Sequence, residues 1–370
     1  MERPENEGKL TLTRLTPHRR GVFGWGAALS VLVVAATACS STSSGTGTAS
    51  SPSAQPTVTA SASGAAALNL NNPTSALCKK SSYKIGYDVF SDSQPFAVSV
   101  GQGLKQAAAK VGCVTILQTV DNQNGPVAIG NLHTLINEQI NGFVDFQVLA
   151  QYQPAMATIL KQSKLTATDI VGAALPGSPQ VGLDPFNTEK NAAIFMAEQA
   201  KKKYPGQVPY FVGGAEPESG AAVLARYQGA VAGVESVFPS IPKSHIIEVD
   251  TNGVDTQAYN NTLSALSAVP HDAVVMLQAV NDEDTGGMAK AAASRGLSNY
   301  LVNSYGGDSY GLGQVCTNSH YVGAWYLDPV GWGPVVLSLE MDQINGVKVP
   351  AVTNIAGYEV TNKTSFLGCK

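Results

Sequence analysis

The stretch from Lys84 to Val114, KIGYDVFSDSQPFAVSVGQGLKQAAAKVGCV, constrains this chain more than any other. Ile85, Tyr87 and Val89 make a short apolar run, which small polar residues and Pro95 then break. From Phe96 to Lys110 the apolar positions Val100, Leu104, Ala107 and Ala108 recur at helical spacing, and a second apolar run, Val114 to Val120, follows at once. Strand, helix and strand in that order form a βαβ unit, so the two strands run parallel. Ligands of open parallel sheets bind outside the carboxyl ends of the strands. That rule places Phe90, Ser91, Asp92, Gln94 and Phe96 at the mouth of a site.

The amino terminus predicts export. Arg14, His18, Arg19 and Arg20 precede an uncharged run, Gly21 to Ala38, that ends in small residues. Basic, apolar and small-residue regions in this order describe a signal peptide over residues 1–38. Cys39, directly after the small residues, resembles the lipobox cysteine of bacterial lipoproteins, which is lipidated and becomes the first mature residue. Residues 39–80 then read as a tether: Ser40 to Ala67 is nearly all Ser, Thr, Ala, Gly and Pro and cannot bury enough apolar surface to offset its ordering entropy. At about 5–6 Å times the square root of length, such a tether reaches roughly 35 Å. The remaining chain is expected outside the cell membrane, anchored through Cys39. An uncleaved membrane helix is the competing reading of the apolar run.

An exported chain with four further cysteines, Cys78, Cys113, Cys316 and Cys369, is expected to carry two disulfides, although four cysteines allow three connectivities. Cys78 precedes the first strand and Cys113 opens the second, at the same end of adjacent parallel strands, which favours their pairing. Cys316 with Cys369 follows by elimination. No pair has the Cys-x-x-Cys spacing of a metal site. Asp250 to Asp255 is rich in oxygen donors but lacks the terminal glutamate of a calcium loop. No metal and no cofactor is expected.

Downstream, helical and strand patterns alternate regularly to Asp184, and a second set of βα units starts near Val208. Two successive doubly wound units predict an α/β protein of two parallel-sheet, Rossmann-like lobes with a cleft between them. The net charge of −4, with 23 basic residues spread thinly, offers no basic stripe for nucleic acid. Gly101-Gln102-Gly103 lies inside a helix rather than before one, so no pyrophosphate cradle is present.

Several segments resemble one family at matching positions: Tyr87-Asp88 with Gln94-Pro95-Phe96, the turn Asp121 to Pro126, Arg226-Tyr227-Gln228-Gly229, Asn281-Asp282-Glu283 with Gly286-Gly287-Met288-Ala289, and Asn345-Gly346 after a helix. The chain is similar over about Ser82 to Val360 to the type 1 periplasmic binding proteins of sugar ABC transporters, the ribose- and galactose-binding group. The resemblance implies a monomeric receptor whose lobes, 81–183 plus 328–355 and 184–327 plus 356–370, are joined by a three-strand hinge and close over one sugar or polyol for a membrane permease. By position it also implies ligand roles for Gln94, Phe96, Asn281 and Asp282, and for either Tyr305 or Asp308. The candidate set is completed by Asp121 and Asn122 in the second turn, Gln147 and Gln151 in the third, Asp184 and Asp328 at crossovers, Glu216 in an acidic turn, and Trp325. Capping is an equal reading for Asp121, a hydrophobic staple an alternative for Phe96, and Arg226 matches the family's structural arginine. Leu224 stands where many members carry a ligand arginine, and an aspartate is missing after Gln147, so the ligand is left open.

A signalling receptor would use the same closed form and is the alternative. An enzyme is not expected: no Gly-x-Ser-x-Gly elbow is anticipated, and His133, His245, His271 and His320 are scattered over helix, strand and loop starts, with no Ser and Asp partners suggested at strand ends.

Overall fold

The computed structural model describes residues 77–172 and 174–369. The expected signal peptide, Cys39 and the tether up to residue 76 lie outside them. In chain order the strands are β1 (Tyr83–Val89), β2 (Val114–Val120), β3 (Gly142–Phe146), β4 (Thr166–Ile170), β5 (Gln180–Gly182), β6 (Tyr210–Ala215), β7 (Ile246–Asp250), β8 (Val275–Gln278), β9 (Tyr300–Gly306), β10 (Tyr321–Tyr326), β11 (Val352–Asn354) and β12 (Tyr358–Val360). They form two six-stranded sheets, ordered β11-β5-β4-β3-β1-β2 and β12-β10-β9-β8-β6-β7. Every pairing is parallel except β10 with β12. Strands β3, β8 and β9 are buried along their whole length and mostly apolar, as covered parallel sheets require, with Asp145, Gln278 and Asn303 among their buried polar residues.

The helices are α1 (Pro95–Val111), α2 (Gly125–Asn137), α3 (Gln153–Gln162), α4 (Pro185–Lys203), α5 (Ala221–Val237), α6 (Asp255–Ala265), α7 (Asp282–Ser294), α8 (Ser309–Thr317) and α9 (Pro329–Ile344). Three differ from what periodicity predicts. Helices α4 and α9 begin several residues before Asn191 and Gly333, where the sequence pattern places their starts, because Asp184 and Asp328 cap them with a proline at the first helical position. Helix α8 has no counterpart in the sequence reading, since Gly311 and Gly313 dilute its apolar pattern, and the Asp308 carboxylate nucleates it by accepting from the N–H groups of Tyr310 and Gly311.

The chain passes between the sheets three times. Leu183-Asp184 leads from β5 into α4, which packs on the second sheet; Leu327-Asp328 leads from β10 back to α9 on the first; and 355–357 joins β11 to β12. Ile355 N–H donates to Gly182 O at 2.7 Å and Leu327 N–H to Gly306 O at 3.1 Å, which holds these crossovers against the strand ends. Helix α9 docks on α1 by close backbone approach: a Cβ on Gly103 would strike the Val330 backbone, and one on Gly333 the backbone of Gly103 and Leu104. Beside this contact the Trp332 ring is fully buried, donates Nε1–H to Leu327 O at 2.7 Å and meets Phe96 edge-on at 5.6 Å.

Both expected disulfides are present, Cys78–Cys113 with Cα atoms 6.1 Å apart and Cys316–Cys369 at 5.0 Å, each within the span that a bridge accepts. Among the described residues no helix is long and apolar enough to cross a membrane.

Trp332 joins a core ring to the second crossover, so Trp332→Ala should lower stability by about 3–5 kcal/mol. Urea unfolding followed by circular dichroism checks this, and the midpoint should fall without a change in slope.

Candidate ligand-binding site

The carboxyl ends of both sheets face one cavity of about 90 Å³. From the first sheet, Phe90 follows β1 and meets Phe146, the last residue of β3, edge-on at 4.9 Å; Val148, Val171, Leu183 and Phe96 extend this wall. From the second sheet come Glu216 after β6, Val280 and Asn281 after β8, and Tyr305 and Gly306 at the end of β9. Ser219, Val223 and Arg226, at the start of α5, close that side.

Helix starts set the polar groups. Gln94 caps α1 through Oε1, which accepts from Ala97 N–H at 2.8 Å, while its Nε2 donates across the cleft to Glu283 Oε2 at 3.0 Å. Asn281 caps α7 through Oδ1, which accepts from Asp284 N–H at 2.7 Å, and its Nδ2 donates to Glu216 Oε1 at 2.9 Å. Ser219 Oγ donates to the other Glu216 oxygen at 2.9 Å. Asp282 is buried behind them, accepting from Ser304 Oγ and from Asp308 N–H. Gly306, at φ 134°, makes room for it: a Cβ there would come within 2.7 Å of Asp282 Oδ2. Arg226 donates Nη1–H to Val280 O at 2.9 Å and lies 5.7 Å from the centre of the Tyr305 ring, whose hydroxyl bonds Thr188 Oγ1 at 2.8 Å.

Burial, with repulsion among neighbouring carboxylates, sets the electrostatics of this edge. Desolvation and then Asp308 raise Asp282 well above the usual carboxylate range and Glu283 to about 7; desolvation and then Glu216 raise Asp284; desolvation raises Asp308. Within reach of Arg226, Glu189 is raised to about 8 by burial, against the pull of the guanidinium.

Of the candidates read from the sequence, the fold brings Phe90, Gln94, Phe96, Glu216, Asn281, Asp282 and Tyr305 to the cavity. The others lie off its lining for reasons that a pattern cannot reveal. Asp121 accepts from Gln147 Nε2 at 3.0 Å, and Gln147 Oε1 accepts from the N–H groups of Val148 and Leu149, so the pair braces two adjacent turns; the α2 cap, the equal alternative for Asp121, is supplied by Asn124. Ser91 Oγ accepts from Gln94 N–H and organises the first turn, beside an exposed Asp92. Asn122 and Gln151 are exposed, Asn122 with φ at 52°. Asp184 and Asp328 are exposed helix caps, Asp308 is a buried one, and Trp325 is packed in the core shared with Leu327 and Tyr305. Gln123, Phe146, Val148, Val171, Leu183, Ser219 and Arg226 lie on the cavity without being among the candidate ligand positions; adjacency to a strand end is the signal that could have found Gln123 and Val148.

The run Gly307-Asp308-Ser309-Tyr310-Gly311 spells Gly-x-Ser-x-Gly between β9 and α8, which corrects the expectation that the chain carries no such run. It does not build a nucleophile elbow. Ser309 is exposed and lacks the positive φ of that strained turn. The rings of His245 and His320 are stacked on Tyr210 and Tyr300 and bond backbone carbonyls there. Among the described residues no group of three or more His, Cys, Asp or Glu side chains is arranged to hold a metal ion.

Comparison with known proteins adds a family and a fold. Residues 85–346 match the family model of the periplasmic binding protein domain. A solute-binding protein of an ABC transporter from Actinobacillus succinogenes, solved with D-allose, superposes with a TM-score of 0.64 at 19% identity, covering 77% of this chain and 99% of that one. One from Mycobacterium smegmatis with glycerol gives 0.66 at 16%, covering 78% and 97%, and the Caulobacter myo-inositol binding protein gives 0.65 at 19%, covering 77% and 95%. No curated protein matches the chain.

The raised carboxyls carry a sign for stability against pH. Between the ordinary glutamate value and about 7 the folded state holds the Glu283 proton that the unfolded chain has released, so this contribution is complete below the window and is lost as pH rises through it. The thermal midpoint should therefore fall from pH 5 to pH 8, and Glu283→Gln should flatten part of that slope. Calorimetric unfolding across the range checks both.

Proposed function

The chain belongs to the periplasmic binding protein family, and from that premise we propose that it captures a small polyhydroxylated solute, a sugar or polyol, between its lobes and delivers it to an ABC importer. The observation that carries this reading is the cavity itself: carboxyl ends of two parallel sheets face each other across it, and Gln94 and Glu283 bond from opposite sides. The neighbours solved with D-allose, glycerol and myo-inositol support the solute class. Lobes 81–183 plus 328–355 and 184–327 plus 356–370 move as bodies about the three crossovers, and ligand contact with both favours the closed arrangement. The receptor acts as a monomer, without chemistry on its ligand, held outside the membrane by lipidated Cys39.

Aromatic faces such as Phe90 and Phe96 suit the C–H surface of a ring, and Asn281, Glu216 and Asp282 suit hydroxyls. Thermal unfolding of the purified protein against monosaccharides and polyols tests the reading. A ligand at a hundred times its dissociation constant should add about 2.7 kcal/mol. Asn281→Ala should weaken that ligand about tenfold, the cost of one buried hydrogen bond, and should also lower the unliganded stability by about 1 kcal/mol because it removes the α7 cap. No stabilisation by any sugar or polyol would overturn the proposal.

A further inference from the structure

The two walls of the cavity are chemically unlike. The second lobe supplies Glu216, Ser219, Arg226, Asn281, Asp282 and Tyr305, interspersed with Val223, Val280 and Leu327, so its side chains at the cavity are mainly polar. The first lobe supplies Phe90, Phe96, Phe146, Val148, Val171 and Leu183. Its two polar side chains at the cavity are Gln94, whose amide is engaged at both ends with Ala97 N–H and Glu283, and Gln123; the Asn281 amide of the second lobe is engaged at both ends too, so the difference between the walls lies in the carboxylate and hydroxyl oxygens of Glu216, Ser219 and Asp282, each able to accept more than one bond. Backbone donors beside this wall are engaged as well: Phe90 N–H bonds Phe146 O, Gln123 N–H bonds Phe90 O, Val148 N–H bonds Gln147 Oε1 and Val171 N–H bonds Val181 O. The polar residues of the first lobe that could have served, Asp121 and Gln147, bond each other away from the cavity.

A fully hydroxylated ring carries donors and acceptors around its whole rim, and each one buried without a partner is penalised. An apolar wall also gives a bridging water too few partners to hold it. We propose that the solute is amphipathic: its hydroxyls lie against the second lobe, and the edge against the first lobe is C–H or ring surface with hydroxyls missing, as in a deoxy sugar or a deoxygenated cyclitol. The inference rests on the solute-receptor reading above and narrows it to a ligand class.

Titration calorimetry of the purified protein with D-allose, D-galactose and myo-inositol, and with the mono-deoxy analogues of each, tests this. Along one edge of the bound ring, removal of a hydroxyl should leave affinity unchanged or raise it up to about tenfold, whereas removal on the opposite edge should lower it about tenfold or more. Val148→Thr, which keeps the shape of the wall but adds a hydroxyl, should narrow the gap between a favoured deoxy analogue and its parent. A parent whose every deoxygenation weakens binding about tenfold would overturn the inference while leaving the receptor reading intact. Failure of all parents and all analogues to bind would overturn both.

Discussion

Everything at the cleft depends on one constraint of parallel sheets: the strands of a doubly wound unit all end on the same side, where the turns into the helices are built. Three crossings of the chain, at Leu183-Asp184, Leu327-Asp328 and 355–357, bring two such ends face to face. The N-terminal residues of α1 and α7 then oppose each other, and the Gln94–Glu283 hydrogen bond spans the gap. Side chains with a local duty, capping a helix, thereby acquire a second duty in the cleft. Gln94 and Asn281 both use the amide oxygen for the cap and turn the amide nitrogen outward to a carboxylate.

Paired carboxyls behind this surface give it a distinct electrostatic character. Asp282, Glu283 and Asp308 crowd together with hydrogen-bond donors for some of their oxygens and no cation among them, so burial raises the proton affinity of all three and the Asp308 charge adds to it at Asp282 and Glu283. The single guanidinium at the cavity, Arg226, is turned to the Val280 carbonyl and the Tyr305 ring. Acidic and hydroxyl groups thus lie mainly on one lobe and most of the apolar lining on the other, a division that fits a ligand with two unlike edges.

Much of the architecture was legible because helical and strand periods alternate cleanly from Tyr83 to Val212, and the two-lobed α/β fold follows from that repetition. Helix α8 was hidden because glycines replace the apolar residues that would have marked its face. Cavity-lining residues close after strands, such as Phe90, Glu216 and Asn281, were readable from position. Asp121 and Gln147 occupy equally suggestive positions, yet they satisfy each other across two turns, a pairing that only the fold brings about. Phe146, Val171 and Leu183 could not be separated from core by sequence, because an apolar strand end looks the same whether it faces a helix or a cavity. Glu283 was masked among three acids at the start of α7, each a plausible helix-terminal charge.

The central claim is that ligand holds two lobes together about three crossovers, and small-angle X-ray scattering with and without a bound sugar or polyol tests it most directly. The account predicts a smaller radius of gyration and a narrower distance distribution on binding, as a hinge closes. A ligand that binds with no change in either would contradict it.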